Sequence, residues 1–440
     1  MKGQAKVERQ VEVPARKRRE KARTPVAALP LWHETVQGGK LVKMLVRTVD
    51  KFRTEDAATS HGNRELFLDD VFLAYLLAFF NPSIRTLRTI EDFSQTQQAQ
   101  RYLTTERICR STLSDFHKFV DPERLTPLIT ELRALLQRKY PSFQRPADLA
   151  GVLQQVIAVD GTFFNAAADV AWAIGKRNQH TTRYRARADV QLNVSSWIPE
   201  VIALPEPGES EPQRATTLIK GGAIHVYDRG YGSFELIAAH YDQPQSASDE
   251  PKAIAQYVLR GKTNNLRLTE VTDHEVTAAQ QALGVVSDRT GSFAGSQGNP
   301  APRVPVREIV LQMSSGEELR LLTNLLDVKA EIVGELYRQR WQIELFFRWL
   351  KCYAHFDHLI THDRHGVLLN FYVVVIGVLL MYLYTGGRPS KYAMIMLGMV
   401  ARSGGDLDSI LPILRERERQ CEVARRSAAK RRARKKAEGR

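Results

Sequence analysis

In the run LYRQRWQIELFFRWLK, Tyr337, Arg340, Glu344 and Lys351 stand at offsets of 0, 3, 7 and 14 residues. At about 100° per residue, all four fall within one helical stripe of about 60°. Trp341 and Arg348 flank it. A stripe of phenol, guanidinium, carboxylate and ammonium groups is no hydrophobic seam, and the aromatic residues between them argue that it faces something other than plain water. The plainer reading is a solvated face on which Arg340 pairs with Glu344, worth roughly a few tenths of a kcal/mol. Two further carboxylates, Asp160 and Asp228, each follow an apolar run directly, in VDGTFF and YDRGY. Carboxylates at strand ends, held on a rigid sheet, can converge on one point; each alone reads as an ordinary turn aspartate. With Glu344 they make a candidate phosphoryl-transfer site.

The elements that must position these groups follow from periodicity. Residues 64–80 carry a broad apolar face and read as an amphipathic helix stopped by Asn81-Pro82. Helical spacing continues over 83–93 and 104–120, where short helices suit either a helix-turn-helix DNA reader, with 108–119 as its groove helix, or a plain helical bundle. From residue 151 the pattern becomes short β-rich runs. One ends at Asp160 and another at Asp228, and further strands are expected at 189–194, 201–204, 255–259, 308–313 and 319–322. The stretch 241–322 therefore reads as an all-β insertion, and helical spacing returns over 328–352. The apolar run 367–384 is about 27 Å long as a helix, just short of a hydrocarbon core. It reads as a buried core helix, with a membrane span as the rival. Apolar positions Ile395, Leu397, Val400, Ile410 and Leu414 are expected to mediate dimer contacts.

Composition bounds the partners. The 440 residues carry a net charge of +14, with 43% hydrophobic and 25% charged residues, values of a globular chain rather than a disordered one. Residues 1–24 hold nine basic and three acidic side chains, and residues 424–440 hold nine basic and one acidic. These basic arms account for the whole excess. They are expected to be disordered or transiently helical, and to attract nucleic acid through a sequence-blind, salt-sensitive release of counterions. A second basic segment, Lys176, Arg177, Arg183, Arg185 and Arg187, reads as a DNA-facing loop. Three scattered cysteines exclude a disulfide scaffold and a Cys-type zinc finger, and fit a reducing compartment. The charged N-terminus lacks the apolar stretch of a secretory signal. No P-loop or dinucleotide fingerprint is present in the sequence, so no nucleotide cofactor is expected.

The spacing Tyr-(2)-Arg-(3)-Glu-(6)-Lys, with VDGTFF and YDRGY upstream, resembles the YREK signature and the two aspartate regions of bacterial insertion-sequence DDE transposases of the insertion-sequence-4 type. The resemblance runs from Val156 to about Tyr384, and 66–119 is similar to the N-terminal region of such proteins. It implies an α/β fold: an RNase H-like catalytic core (151–240 and 323–386) interrupted by the β-rich insertion (241–322). A helical DNA-binding domain (25–150) lies between it and the basic tail 1–24, with a C-terminal helical segment (387–423) and the basic tail 424–440 after it. It implies that Asp160, Asp228 and Glu344 are catalytic and bind two divalent metals, Mg²⁺ with Mn²⁺ as a substitute. Hard oxygen ligands and mutual carboxylate repulsion agree with that. Tyr337, Arg340 and Lys351 would hold DNA, as would Trp341 by stacking and Arg260 and Lys262 in the insertion. The partners implied are double-stranded DNA with terminal inverted repeats and a second copy of the chain, with no membrane, in a bacterial cytoplasm at the nucleoid. Cut-and-paste movement through hairpin ends is implied too, although the insertion lacks the tryptophan that stacks a flipped base in some relatives. The rivals are a metal-dependent nuclease of the same fold and a non-catalytic DNA-binding relative.

Overall fold

The computed structural model describes residues 45–59, 64, 66–81, 83–140, 156–166, 174–177, 182–242, 251–262, 266–313, 315–352, 359–386, 392–393, 395–396 and 407–437. The tail 1–24 lies outside them, as do Leu397 and Val400. The chain divides into two compact units, Met1–Leu136 with Cys352–Arg440, and Gln137–Lys351.

In the first unit the described chain begins with α1 (Val46–Thr59), α2 (Leu68–Phe80), α3 (Leu87–Ser94) and α4 (Arg110–His117), and continues into α5 (Thr126–Lys139). The amphipathic helix expected over 64–80 is instead buried on every side, and starts at Leu68. Its only charges, Asp69 and Asp70, sit in the first turn, where backbone N–H groups favour anions. Arg53 pairs with both, at 3.5 and 3.3 Å, and the Thr104 backbone N–H donates to Asp70 at 2.7 Å. Asp56 accepts from the Leu68 N–H at 2.9 Å and pairs with Arg124 at 2.5 Å. A Thr86–Thr89 capping box opens α3. The expected groove helix 108–119 forms only over the eight residues of α4, whose Leu113, Phe116 and His117 point into the core.

The second unit is built on a ten-stranded sheet. Its elements in chain order are β1 (Val156–Ala166), β2 (Ile174–Arg177), β3 (Thr182–Asn193), β4 (Ile198–Ala203), α6 (Glu211–Thr216), β5 (Ile224–Tyr227) and α7 (Phe234–Ala238). They continue with β6 (Gln256–Arg260), β7 (Leu268–Asp273), α8 (Ala278–Ala282), β8 (Val285–Phe293), β9 (Val306–Gln312), β10 (Glu318–Thr323), α9 (Ala330–Gln339) and α10 (Trp341–Cys352). Along β4-β3-β1-β5-β6 the first three strands are antiparallel, while β1, β5 and β6 run parallel. That order and those directions are the RNase H-like arrangement. Because β6 is a parallel core strand, the insertion does not begin at residue 241. It consists of β7–β10, which extend the same sheet antiparallel from β6 rather than folding apart.

Ion pairs fasten this extension. Glu308, 1% exposed, accepts from Arg289 (Nε to Oε1, 2.7 Å) and from Arg320. Arg320 donates onward to the carbonyls of Lys262 and Leu266, at 2.9 and 2.7 Å. Arg307 grips Asp288 with two bonds, 2.8 and 2.6 Å, and reaches the carbonyls of Leu325, Leu326 and Val328.

Beneath the parallel strands lies an apolar cluster that includes Ile157, Val159, Tyr227, Tyr231, Tyr257 and Leu259. Two buried imidazoles meet beside it. Burial, reinforced by the charge of His240, lowers the His225 pKa to about 3; burial lowers that of His240 to about 4, against the hydrogen bond its Nδ1–H donates to the Leu236 carbonyl. Both folded values lie below the unfolded one of about 6.5. The stability they contribute is therefore whole above about pH 6.5 and is lost as the pH falls toward those values. The melting temperature should fall between about pH 7.5 and about pH 5, and by much less in a His225→Phe/His240→Phe double variant; an equal fall in both proteins would assign the acid lability elsewhere.

The chain then returns to the first unit. Helix α11 (Arg364–Thr385) opens on an Asp363 cap that accepts from the His365 and Gly366 N–H groups. It is long and apolar enough to cross a membrane, yet 89% of its most apolar window is buried, and it packs on α2. Gly377 is required at the crossing, since a Cβ there would lie 2.4 Å from the Phe79 ring. So 364–385 packs with the N-terminal helices in the first unit, whereas the sequence expectation grouped it with the catalytic core. The last element, α12 (Leu407–Ala437), runs through most of the basic tail expected to be disordered or transiently helical. Alanine, arginine and lysine are strong helix formers, and the i,i+4 pair Glu422–Arg426 adds support. Of the positions expected at a dimer contact, Ile395 is exposed and Leu414 is buried.

Candidate active site

Asp160 does not end its strand. β1 continues to Ala166, which sets Asp160 within the ladder, opposite Val190 of β3. Asp228 follows the last residue of β5, and Val159 pairs with Tyr227 across the parallel β1–β5 ladder. The two aspartates thus occupy neighbouring positions one step beyond that pair. Strand spacing in a sheet is about 4.8 Å, so their backbones are held close by main-chain bonds alone.

Glu344 comes from α10. The expected single helix over 328–352 is jointed at Arg340, where i to i−3 bonds (Arg340 N–H to Tyr337 O, 3.0 Å; Ile343 N–H to Arg340 O, 3.1 Å) separate α9 from α10. At this joint Arg340, 11% exposed, donates to Glu344 Oε1 at 2.6 Å and stands 3.5 Å from Asp160 Oδ2. The Tyr337 hydroxyl donates to Asp228 Oδ1 at 3.1 Å, and Arg260, at the end of β6, lies 3.9 Å from the same oxygen. Six of the residues singled out from the sequence therefore meet. The others are placed around them: the Lys351 ammonium lies 5.3 Å from the centre of the Phe164 ring, Trp341 is about half-exposed, and the Lys262 side chain is exposed.

The three carboxylates are not gathered into a ready-made cation cage. Among the described residues no three acidic, imidazole or thiol groups lie close enough to hold one metal ion. The reason is electrostatic: bare carboxylates repel one another, and here a guanidinium stands between Asp160 and Glu344. Its charge does not fully compensate Asp160. Burial pushes the Asp160 pKa up to about 7 against the pull of Arg340, and the charges of Glu211 and Asp228 add to the rise. A half-buried carboxyl short of positive charge, near two more carboxylates, is a donor set whose chemistry fits a hard divalent cation.

Two acidic neighbours were missed in the sequence. Glu211 and Asp189 both approach Gly161, where a Cβ would lie 2.5 Å from Glu211 Oε1 and 3.1 Å from Asp189 Oδ1. A larger residue there would have to displace the Glu211 carboxylate. Asp189 is buried beside Arg187, 3.0 Å away; burial, against that pairing, raises its pKa to about 6. The signal for Glu211 was the capping box of Ser210 and Gln213 that opens α6. Arg187 is thereby removed from the supposed DNA-facing loop, which is in fact the β2–β3 pair.

Residues 152–380 match the model of the transposase DDE domain, just over half of the chain. The chain belongs to that family. Among curated relatives, it is 34% identical over 220 residues to the probable transposase for insertion sequence element IS5377 of Geobacillus stearothermophilus, covering 48% of this chain and 54% of that one. It is 28% identical over 194 residues to the candidate transposase y4zB of Sinorhizobium fredii, covering 44% and 51%. The chain thus spans about half the length of the curated relatives it matches. Among solved structures, a piggyBac transposase in a synaptic complex with hairpin DNA aligns over 86% of this chain and 82% of that one, at 9% identity and a TM-score of 0.37. The transposase DDE domain match takes in Asp160, Asp228 and Glu344 and all ten strands, and ends within α11.

Proposed function

We propose that this DDE-domain chain is an insertion-sequence transposase of the insertion-sequence-4 type, which cuts and rejoins DNA at the terminal inverted repeats of its element as a dimer, with hairpin-ended intermediates. The observation that carries the reading is the meeting of Asp160, Asp228 and Glu344, from β1, β5 and α10, around Arg340 and Tyr337. Asp160, Asp228 and Glu344 would hold divalent cations, Mg²⁺ or in its place Mn²⁺. When bound, these would activate the attacking hydroxyl and stabilise the leaving oxygen at a phosphodiester.

The side chains around the carboxylates do the holding. Arg340 can offer a phosphate two parallel N–H bonds, and in doing so it exchanges a carboxylate partner for the DNA backbone. Tyr337 and Arg260 orient Asp228 and present a hydroxyl and a second guanidinium to the same strand. Lys351, Lys262 and the half-exposed Trp341 extend the grip outward, the indole by stacking on a base. The basic arms 1–24 and 424–440, the second of which lies mostly in α12, supply salt-sensitive attraction to the duplex at the nucleoid.

Removal of Arg340 tests the exchange. Arg340→Ala leaves Asp160 and Glu344 facing each other without a cation and should cost about 1–3 kcal/mol of stability. Divalent metal should then raise the melting temperature of the variant more than that of the wild type, as scanning fluorimetry would read. Equal shifts in the two proteins would remove Arg340 from competition with the metal.

The reading itself is tested with a plasmid carrying the gene and its native flanking DNA, incubated with purified protein with and without Mg²⁺. Metal-dependent breaks at paired repeats, absent with Glu344→Gln, are expected. Cuts without pairing or joining of ends would make the protein a nuclease of the same fold. Salt-sensitive binding without cuts would make it a non-catalytic relative.

A further inference from the structure

Trp197 adopts a backbone that L side chains rarely take, with φ at 60°. It closes the turn from β3 to β4, and Asn193 fastens that turn. The Asn193 side-chain oxygen accepts from the N–H groups of Ser195 and Ser196, at 3.1 and 2.9 Å, and its carbonyl accepts the Trp197 N–H at 2.7 Å. The indole is turned inward, 7% exposed, and its hydrogen-bond and ring partners belong to α10. Its Nε1–H donates to the Gln342 carbonyl at 3.3 Å. Its ring stands edge-on to Phe346 and Trp349, with centroids 5.4 and 5.9 Å away.

Gln342 and Phe346 are the second residues before and after Glu344, so Trp197 holds the turn of helix that carries the carboxylate. An aromatic ring that merely fills a core can be supplied from relaxed backbone. A left-handed residue, pinned by a side-chain oxygen and bonded to the main chain of the helix, fixes something further: the rotation and height of α10. Reaction geometry tolerates errors well below 1 Å at such a group, and strained residues persist where the surroundings over-determine them.

We propose that Trp197 is a positioning residue for Glu344, setting α10 so that its carboxylate reaches the cation held with Asp160 and Asp228. The inference rests on the reading of Glu344 as a cation ligand. Calorimetric titration of the full chain with Mn²⁺ tests both, using wild type, Trp197→Phe, Glu344→Gln and the double variant. Phenylalanine keeps an aromatic ring and removes the indole N–H. Trp197→Phe should weaken Mn²⁺ binding about tenfold, the scale of an outer partner of a metal ligand. In the Glu344→Gln background it should cause no further loss, because Trp197 acts only through Glu344. Phe346→Leu, which loosens the same packing from the helix side, should repeat that dependence, and melting curves would confirm that each variant is folded. An equal loss in both backgrounds, or no loss in the wild-type background while Glu344→Gln weakens binding, would overturn the positioning role. Mn²⁺ binding by Glu344→Gln as tight as by wild type would instead sink the reading of the site.

Discussion

Glu344→Gln should yield a protein that still binds the ends of its element and cuts neither. The amide keeps the length of the side chain, and its oxygen can still accept from Arg340, whose bond to Glu344 is 2.6 Å long, so α10 should keep its place. The charge is lost. A neutral amide is a poor ligand for a hard cation, and the site then offers Asp160 and Asp228 alone. Single-turnover cleavage of an end-containing duplex should fall by about a thousandfold or more, while the dissociation constant for the same duplex stays within about threefold. Retained cleavage would take Glu344 out of the chemistry. Loss of binding together with cleavage would mean that the charge is needed to hold Arg340, and hence the DNA-facing side of the site.

Glu308→Ala carries the largest expected cost in stability. Glu308 is buried between Arg289 and Arg320, and Arg320 is itself mostly buried. Alanine removes the shared counter-charge and leaves the mostly buried Arg320 guanidinium with carbonyl acceptors alone, a loss of about 3–5 kcal/mol for a broken buried pair. Chemical denaturation would read it as a lower midpoint at an unchanged slope. Arg289→Ala provides the contrast: its side chain is 40% exposed, and after its loss Glu308 keeps Arg320, so the cost should be well under half as large. A loss below about 1 kcal/mol for Glu308→Ala would reduce the network to surface decoration. Because Arg320 also holds the carbonyls of Lys262 and Leu266, the variant should further loosen the chain just beyond Arg260 and weaken the hold on DNA there.

What the sequence made legible was local. Asp228 was readable because a short buried strand ends in a turn beside it, and the Arg340–Glu344 pair because helix geometry fixes neighbours four residues apart. The overrun of β1 past Asp160 was hidden, since glycine at 161 mimics a strand end, although in the structure it lies beneath the carboxylates of Glu211 and Asp189. The span 241–322 looked like a separate insertion because β6 is too short to announce that it pairs with β5. Helix α11 gave the same apolar pattern for any buried setting, and its partner α2 lies far upstream. The contact of Arg340 with Asp160 joins residues far apart in the chain and has no local signature. Neither has the left-handed turn at Trp197, where no glycine marks the spot.

The division into two units has a consequence for how the protein is made. The unit from Gln137 to Lys351 is continuous, whereas the other is assembled from both ends of the chain. Translation delivers α2 early, with all thirteen residues destined for burial, and its partner α11 emerges only after the whole sheet has been synthesised. The ten-stranded unit can therefore fold on the ribosome while the helical unit waits. Chains released before residue 364 would carry a finished sheet and an α2 packed on α1 and α3 but missing its α11 partner. Such products should be recognised by chaperones or proteases, because α2 is apolar along its whole length and lacks the helix that packs on it in the complete chain.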